Sequence, residues 1–243
     1  MIERVLEAHG GLDRWLSARR ISIVTRTGGL LPRTRMPHQF AAGRVTIELD
    51  QPRTRLEPIP ADGRIGVFDR GHVRLETSDG EVIESRANPR RAFSGLSGVR
   101  RNLRWDMLDA TYFAGYAWWN YLSAPLVLTR EDVEVVERGT WQEPGAKEPW
   151  HMLEANFAAA LPTHSPRQTF YFDGGGLLRR HDYVAEIIGG WAHAAHYCDE
   201  HTESGGLVFP TRRRVRPIGP RNRSLPLPTL VALDITEIVV ETR

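Results

Sequence analysis

The 243-residue chain is 41% hydrophobic and 26% charged, and 32 Lys and Arg against 30 Asp and Glu leave a formal net charge of +2. Such usage belongs to a chain that folds throughout, and so small a charge excludes the general phosphate attraction on which nucleic-acid binding rests. Cys198 is the only cysteine, which excludes an internal disulfide and a zinc site of several thiolates and points to a reducing compartment.

Met1 to Gly11 is charged and amphipathic, without an apolar run before a small-residue cleavage site, so no export signal is read and a cytoplasmic location is expected. Ile2 to Ser17 predicts two short helical turns, with Val5, Leu6 and His9 on one side and Leu12, Trp15 and Leu16 continuing after the break at Gly10-Gly11. Beyond it the apolar period becomes two, at Ile21 and Ile23, then Val45, Ile47 and Leu49, then Ile65 and Val67, then Val73 and Leu75. Asp-Gly at 62–63 and 79–80 and Arg-Gly at 70–71 are hairpin-sized connections, so consecutive strands are expected to pair antiparallel.

Trp105 to Leu122 interrupts the strands as a helix. Trp105, Leu108, Tyr112, Tyr116, Trp119 and Leu122 form one stripe, while Met107, Thr111, Ala114, Trp118 and Tyr121 form a second that is also largely apolar. A helix apolar on both sides is buried. The longer aromatic-rich segment Trp105 to Leu128 is interrupted by Asp106, Asp109, Asn120 and Pro125 and falls short of the apolar length of a membrane-spanning helix. Further strands are expected near 125–129, 132–141, 149–158, 167–173, 177–188, 191–201, 206–217 and 229–241, with a hairpin turn at Asp173-Gly-Gly-Gly176 and a long loop from Pro217 to Pro228. So many adjacent strands curl around their own apolar face. The expected fold class is therefore mainly β, a large curled antiparallel sheet forming an open half barrel as one domain over 1–243. An N-terminal helix precedes it, and the aromatic-rich helix plugs its concave face. Tyr112, Tyr116, Trp118 and Trp119 then surround any remaining space as ligand-binding candidates, or else complete a filled core.

On the late strands, alternation sends Leu177, His181, Tyr183, Ala185 and Ile187 inward, with Arg180, Asp182 and Glu186 on the other side. It likewise sends Leu207, Phe209, Thr211, Arg213 and Val215 inward and leaves Arg212, Arg214 and Arg216 in water. An inward Arg213 must be paired, with Glu237 the acid considered, snorkel to the rim, or clamp a carboxylate or phosphate of a ligand beside Phe209. His193, His196, His201 and Cys198 invite a metal, but strand alternation puts His193 and His196 on opposite faces, and no metal site is expected. His181, Tyr183, His193 or His196, Tyr197 and Arg213 are the candidate proton-moving set. The chain carries no nucleophile elbow, phosphate loop, dinucleotide fingerprint or H-E-x-x-H, so no cofactor is expected.

Three segments, Glu7-Ala-His-Gly-Gly-Leu-Asp-Arg-Trp15, Tyr171-Phe-Asp-Gly-Gly-Gly-Leu-Leu178 and Gly206-Leu-Val-Phe-Pro-Thr-Arg212, stand where a chain of this architecture resembles the LolA/LolB-like lipoprotein-carrier superfamily. The resemblance is architectural and spans most of the chain. It implies an open barrel with an internal helical plug and an apolar cavity for acyl chains or other greasy molecules, although the chain departs from the carriers in lacking an export signal. The expected function is binding of a small apolar or amphipathic molecule, such as a lipid, polyketide or isoprenoid. The alternatives are a cofactor-independent isomerase, cyclase or lyase using the same cavity, and an interaction module with a filled core.

Overall fold

In the computed structural model, which describes residues 1–243 apart from 59–60, 96–97, 99–100 and 102, every strand joins one antiparallel sheet. Two short helices, α1 (Ile2–Ala8) and α2 (Leu12–Ser17), lead into β1 (Ala18–Gly28), and α3 (Leu30–Arg35) precedes β2 (Ala42–Glu48). A meander follows through β3 (Arg53–Pro58), β4 (Ile65–Asp69), β5 (His72–Glu76) and β6 (Val82–Ala87), and then comes the long helix α4 (Met107–Ser123). The second meander comprises β7 (Val133–Trp141), β8 (Trp150–Phe157), β9 (Arg167–Phe172), β10 (Leu178–Val184), β11 (His193–Ser204), β12 (Leu207–Pro217) and β13 (Val231–Thr242).

The strand order is β6-β5-β4-β3-β2-β1-β13-β12-β11-β10-β9-β8-β7, so the first and last strands pair at the centre and β6 and β7 are the two free edges. The sheet is an open half barrel. The segment joining its two edges carries α4 across the concave face, where the helix packs against β2 to β5. Asp106 caps α4 by accepting from the Asp109 N–H at 2.8 Å, and the Asp109 carboxylate accepts in return from the Asp106 N–H at 3.3 Å. Every residue from Leu108 to Ser123 is buried. Such close seating needs small residues at the contact: a Cβ on Gly115 would overlap Phe68 of β4, and one on Gly66 would lie 2.6 Å from Thr111 Oγ1.

The interior divides along the helix. Ile21, Ile23, Val45, Ile47, Leu56, Phe68, Val73 and Leu75 form an aliphatic half under β1 to β5, whereas Phe170, Phe172, His181, Tyr183, His196 and Arg213 line a mixed half under β9 to β12.

Several expected boundaries change. Residues 126–129 form a 3₁₀ turn rather than a strand, because the Leu128 N–H donates back to the Pro125 carbonyl at 2.9 Å. The strand expected over 177–188 stops at Val184, where the Ala185 N–H pairs with the Ala192 carbonyl and closes a turn. A register shift between Leu178 and Arg180 puts Leu178, in place of Leu177, in the core. Strands β3 and β6 and helix α3 were outside the expectation: β3 alternates Arg53, Arg55 and Glu57 with Thr54, Leu56 and Pro58, so Leu56 and Pro58 alone give it too little apolar pattern, and β6 is an exposed edge without an apolar face.

Candidate functional site

Tyr121, in the last turn of α4, is the hinge between two features of the concave face. Its hydroxyl lies 2.7 Å from His164 Nε2 and 2.9 Å from the Tyr183 hydroxyl, while His164 Nδ1 lies 3.3 Å from the Tyr116 hydroxyl. The His164 and Tyr183 rings stack at 3.9 Å with 4° between their planes. His181 pairs through Nε2 with Gln168 Oε1 at 2.5 Å and stacks on Phe170, and the His196 ring meets the Tyr121 ring edge to face at 4.4 Å. Among the described residues neither nitrogen of His196 has a hydrogen-bond partner, though the residue is fully buried.

Arg213 adjoins this cluster from β12. Its Nη2 donates to the Tyr121 carbonyl at 3.0 Å, its Nη1 contacts Cys198 Sγ at 3.4 Å, and its Nε has no acceptor among the described residues. Among the described residues no carboxylate comes within ion-pair distance of this guanidinium, although it is 1% exposed. Glu237, the acid considered from the sequence, is not its partner; Glu237 lies opposite Val24 on the β1–β13 pair. A buried cation without a counter-ion is unusual, because desolvation is costly unless it is offset by pairing.

Burial controls the protonation of the whole cluster. It pulls His164 down to about 3, with Arg90 adding repulsion. Burial also holds His181 and His196 well below the ordinary imidazole range, reinforced by His164 at the first and Arg213 at the second. The Tyr116, Tyr121 and Tyr183 phenols are raised for the same reason, and the Cys198 thiol is pushed up to about 11. At neutral pH the three histidines are neutral and the three tyrosines protonated.

On the other side of Tyr121 lies an apolar cleft of about 60 Å³. Met107, Phe113, Ala114, Ala117, Trp118 and Tyr121 of α4 form one wall, and Val45, Leu56, Gly66, Val231 and Leu233 of the sheet form another. Pro32 and Met36, with Gln39 and Phe40 of the 3₁₀ turn His38–Ala41, close the third wall and bring the cleft to the surface beside exposed Arg44. Leu233, on the cleft wall, is the cross-strand neighbour of Arg213. The Oε1 of Gln39 is buried and has no partner among the described residues.

The residues proposed from the sequence therefore separate. His181, Tyr183, His196 and Arg213 come together behind Tyr121. Of the aromatic candidates only Trp118 lines the cleft; Tyr112 faces a separate surface hollow beside Arg90, and Tyr116 belongs to the His164 network. Trp119 donates to the Glu48 carbonyl at 2.9 Å, and Phe209 packs edge to face on Trp15 at 5.6 Å. Two placements correct the expectation. His193 is exposed at the start of β11 and joins no cluster. Tyr197 points to the convex face, as pleat alternation from buried His196 requires, and donates to Glu143 Oε1 at 2.5 Å.

That convex face holds a second buried network in which Arg180, also expected away from the core, is fully buried. Its guanidinium grips Asp182 at 2.7 and 2.8 Å and Glu143 Oε2 at 2.7 Å, under the loop that carries Asn222. Among the described residues no group of three or more His, Cys, Asp or Glu is arranged to hold a metal ion.

Sequence reasoning missed His164, Gln168 and the α3 wall of the cleft. The only signal for His164 is its place in the short loop Leu161-Pro-Thr-His-Ser-Pro166, between two prolines.

No protein-family model matches the chain, and no curated protein sequence matches it. Among solved structures, the chain is similar to a LolA superfamily protein from Nitrosomonas europaea, 10% identical, with 98% of this chain and 90% of that one covered and a TM-score of 0.51. A DUF1329 family protein from Desulfovibrio piger is 11% identical, with 99% and 91% covered and a TM-score of 0.49. The first likeness places the fold among LolA-like half barrels; identity this low shows the fold alone.

Proposed function

We propose that this half barrel binds a small apolar or amphipathic molecule, of lipid, polyketide or isoprenoid type, in the cleft between α4 and the sheet, with an acidic end directed toward Arg213. The observation that carries this reading is the juxtaposition at Tyr121: an apolar cleft stops there, and behind it stands a buried guanidinium with no counter-ion among the described residues. Guanidinium recognises carboxylate or phosphate through paired N–H donors, and Arg213 retains an unused Nε. At about 60 Å³ the cleft is well under the roughly 300 Å³ at which ligand pockets begin, so binding is coupled to opening. The wall that yields is α3 with its 3₁₀ turn, the one wall made of neither sheet nor α4.

Catalysis by proton transfer receives less support from the same groups. A general acid or base works best with its pKa near the working pH, whereas burial drives these histidines down and these tyrosines up. His164, His181, Tyr121 and Tyr183 hold the inner wall by hydrogen bonds, and His196 packs there against the Tyr121 ring.

The test is titration of the intact protein with a fluorescent long-chain fatty acid. Saturable one-to-one binding is expected, and Ala114→Leu or Ala117→Leu, which fills the cleft, should weaken it at least tenfold without loss of fold. Absence of binding to the folded protein, or binding indifferent to both substitutions, would remove the cleft as the site.

A further inference from the structure

The strand ends place three connections on one rim of the half barrel. The Leu30 and Leu31 N–H groups donate to the Thr229 and Leu230 carbonyls at 3.0 and 2.9 Å, tying α3 to the end of the β12–β13 loop. The Ile218 N–H donates to the His193 carbonyl at 3.0 Å, tying the start of that loop to the β10–β11 turn. Pro32 and Met36, on the first of these connections, line the cleft.

This rim carries apolar side chains that the fold does not use. Trp191 and Leu227 are each 75% exposed, Leu225 42% and Leu30 39%. Trp191 stands on the β10–β11 turn, Leu225 and Leu227 on the β12–β13 loop and Leu30 at the start of α3. Two of the three segments are basic: residues 29–41 contain Arg33, Arg35 and His38, and residues 218–230 contain Arg221 and Arg223, with no Asp or Glu in either, whereas the turn that carries Trp191 holds Glu186, paired with Arg90. No ion pair is formed by these four arginines among the described residues, whereas Glu57, the acid on the cleft wall, is paired with Arg55 at 2.8 Å.

We propose that this rim docks on an anionic lipid bilayer, with Trp191 and Leu227 entering the headgroup layer and Arg33, Arg35, Arg221 and Arg223 meeting the anionic phosphates. Three features select a bilayer over a protein partner. Tryptophan and arginine together match the composition of the membrane interface. A few exposed apolar side chains spread over three connections can insert between headgroups, whereas a protein interface needs a continuous buried area of about 800 Å² on each side. The two basic segments, which contain no Asp or Glu, gain from a negative surface potential. Docking there would bring the α3 wall against the membrane, a use that rests on the cleft reading; the docking itself does not.

The experiment is co-sedimentation of the intact protein with vesicles of phosphatidylcholine alone or mixed with phosphatidylglycerol, together with Trp fluorescence. Binding is expected only to the anionic vesicles, weakening as salt rises, with a blue shift that Trp191→Phe removes. Trp191→Ser with Leu227→Ser, or Arg221→Gln with Arg223→Gln, should each lower the partition coefficient roughly tenfold or more. Val239→Ser, at a residue 50% exposed on β13, should leave it unchanged. Ala117→Leu, which closes the cleft, should still sediment, so failure of the cleft reading and failure of docking are separable. Equal binding to both vesicle types, indifference to the rim variants, or a rim-dependent dimer in analytical ultracentrifugation with no vesicle binding would overturn the proposal.

Discussion

The Arg213 guanidinium donates through Nη2 to the Tyr121 carbonyl at 3.0 Å and lies over the ring of the same tyrosine, 5.4 Å from its centroid. It thereby ties β12 to the last turn of α4, where a helix leaves carbonyls without partners. Arg213→Met removes a buried charge that has no counter-ion and replaces it with apolar bulk, so the protein should stay folded within about 2 kcal/mol of the parent. Binding of a fatty acid should weaken by about 1.5–3 kcal/mol while the matching alcohol is spared. Paired titrations of acid and alcohol check this; equal losses would make the arginine purely structural. Exposed Arg212, paired with Glu200, should be indifferent to replacement.

Acid should destabilise the fold through its buried histidines. Their folded-state affinity for protons lies below the unfolded value of about 6.5, so the unfolded chain binds more protons as pH falls. Their contribution is present above pH 6.5 and is lost progressively below it, reaching down to about 3 for His164. Each should add about 1.4 kcal/mol per pH unit to the slope. Urea unfolding at a series of pH values between 7 and 4 measures it, and His196→Phe should flatten the slope by one histidine's share.

Arg180 presents the opposite case to Arg213. Its two carboxylate partners, Glu143 and Asp182, have side chains only 9% and 10% exposed. Arg180→Met strands both and should cost about 3–5 kcal/mol. Glu143→Gln keeps an acceptor for Arg180 and should cost about 1–3 kcal/mol. Chemical denaturation distinguishes the two, and fatty-acid binding should survive in any fraction that remains folded.

Gly115→Ala tests the seat of the plug. The added methyl meets the Cβ of Phe68, so α4 or β4 must shift, at a cost of about 1–3 kcal/mol. Thermal melts measure the loss; a neutral variant would show that the helix rides loosely on the sheet.

Cys198 should be inert to thiol reagents in the native state. Burial raises it to about 11 and leaves it fully enclosed, so reaction with a chromogenic disulfide should follow global unfolding. Rapid native-state labelling would reveal opening beside Arg213.

Local sequence pattern determined a good part of this architecture. Period-two runs announced most strands, Asp-Gly and Gly-rich turns announced their hairpins, and the two apolar stripes from Trp105 to Leu122 announced a buried helix. Pleat alternation along β12 correctly turned Arg213 inward and Arg212 outward, because Leu207, Phe209 and Val215 are regularly spaced with no bulge between Phe209 and Val215 to interrupt the phase. Alternation could not reveal what lies opposite. That β1 pairs with β13, that His164 reaches Tyr121 from a loop 43 residues along the chain, and that Arg180 is buried although on the convex side all depend on segments distant in sequence. The cleft is likewise tertiary: α3 closes it only because its N–H groups find carbonyls beyond the far loop, at Thr229 and Leu230. Periodicity reports which face of a strand is apolar, whereas a site is set by which distant chain segments meet on that face, and that is decided by packing and pairing between elements.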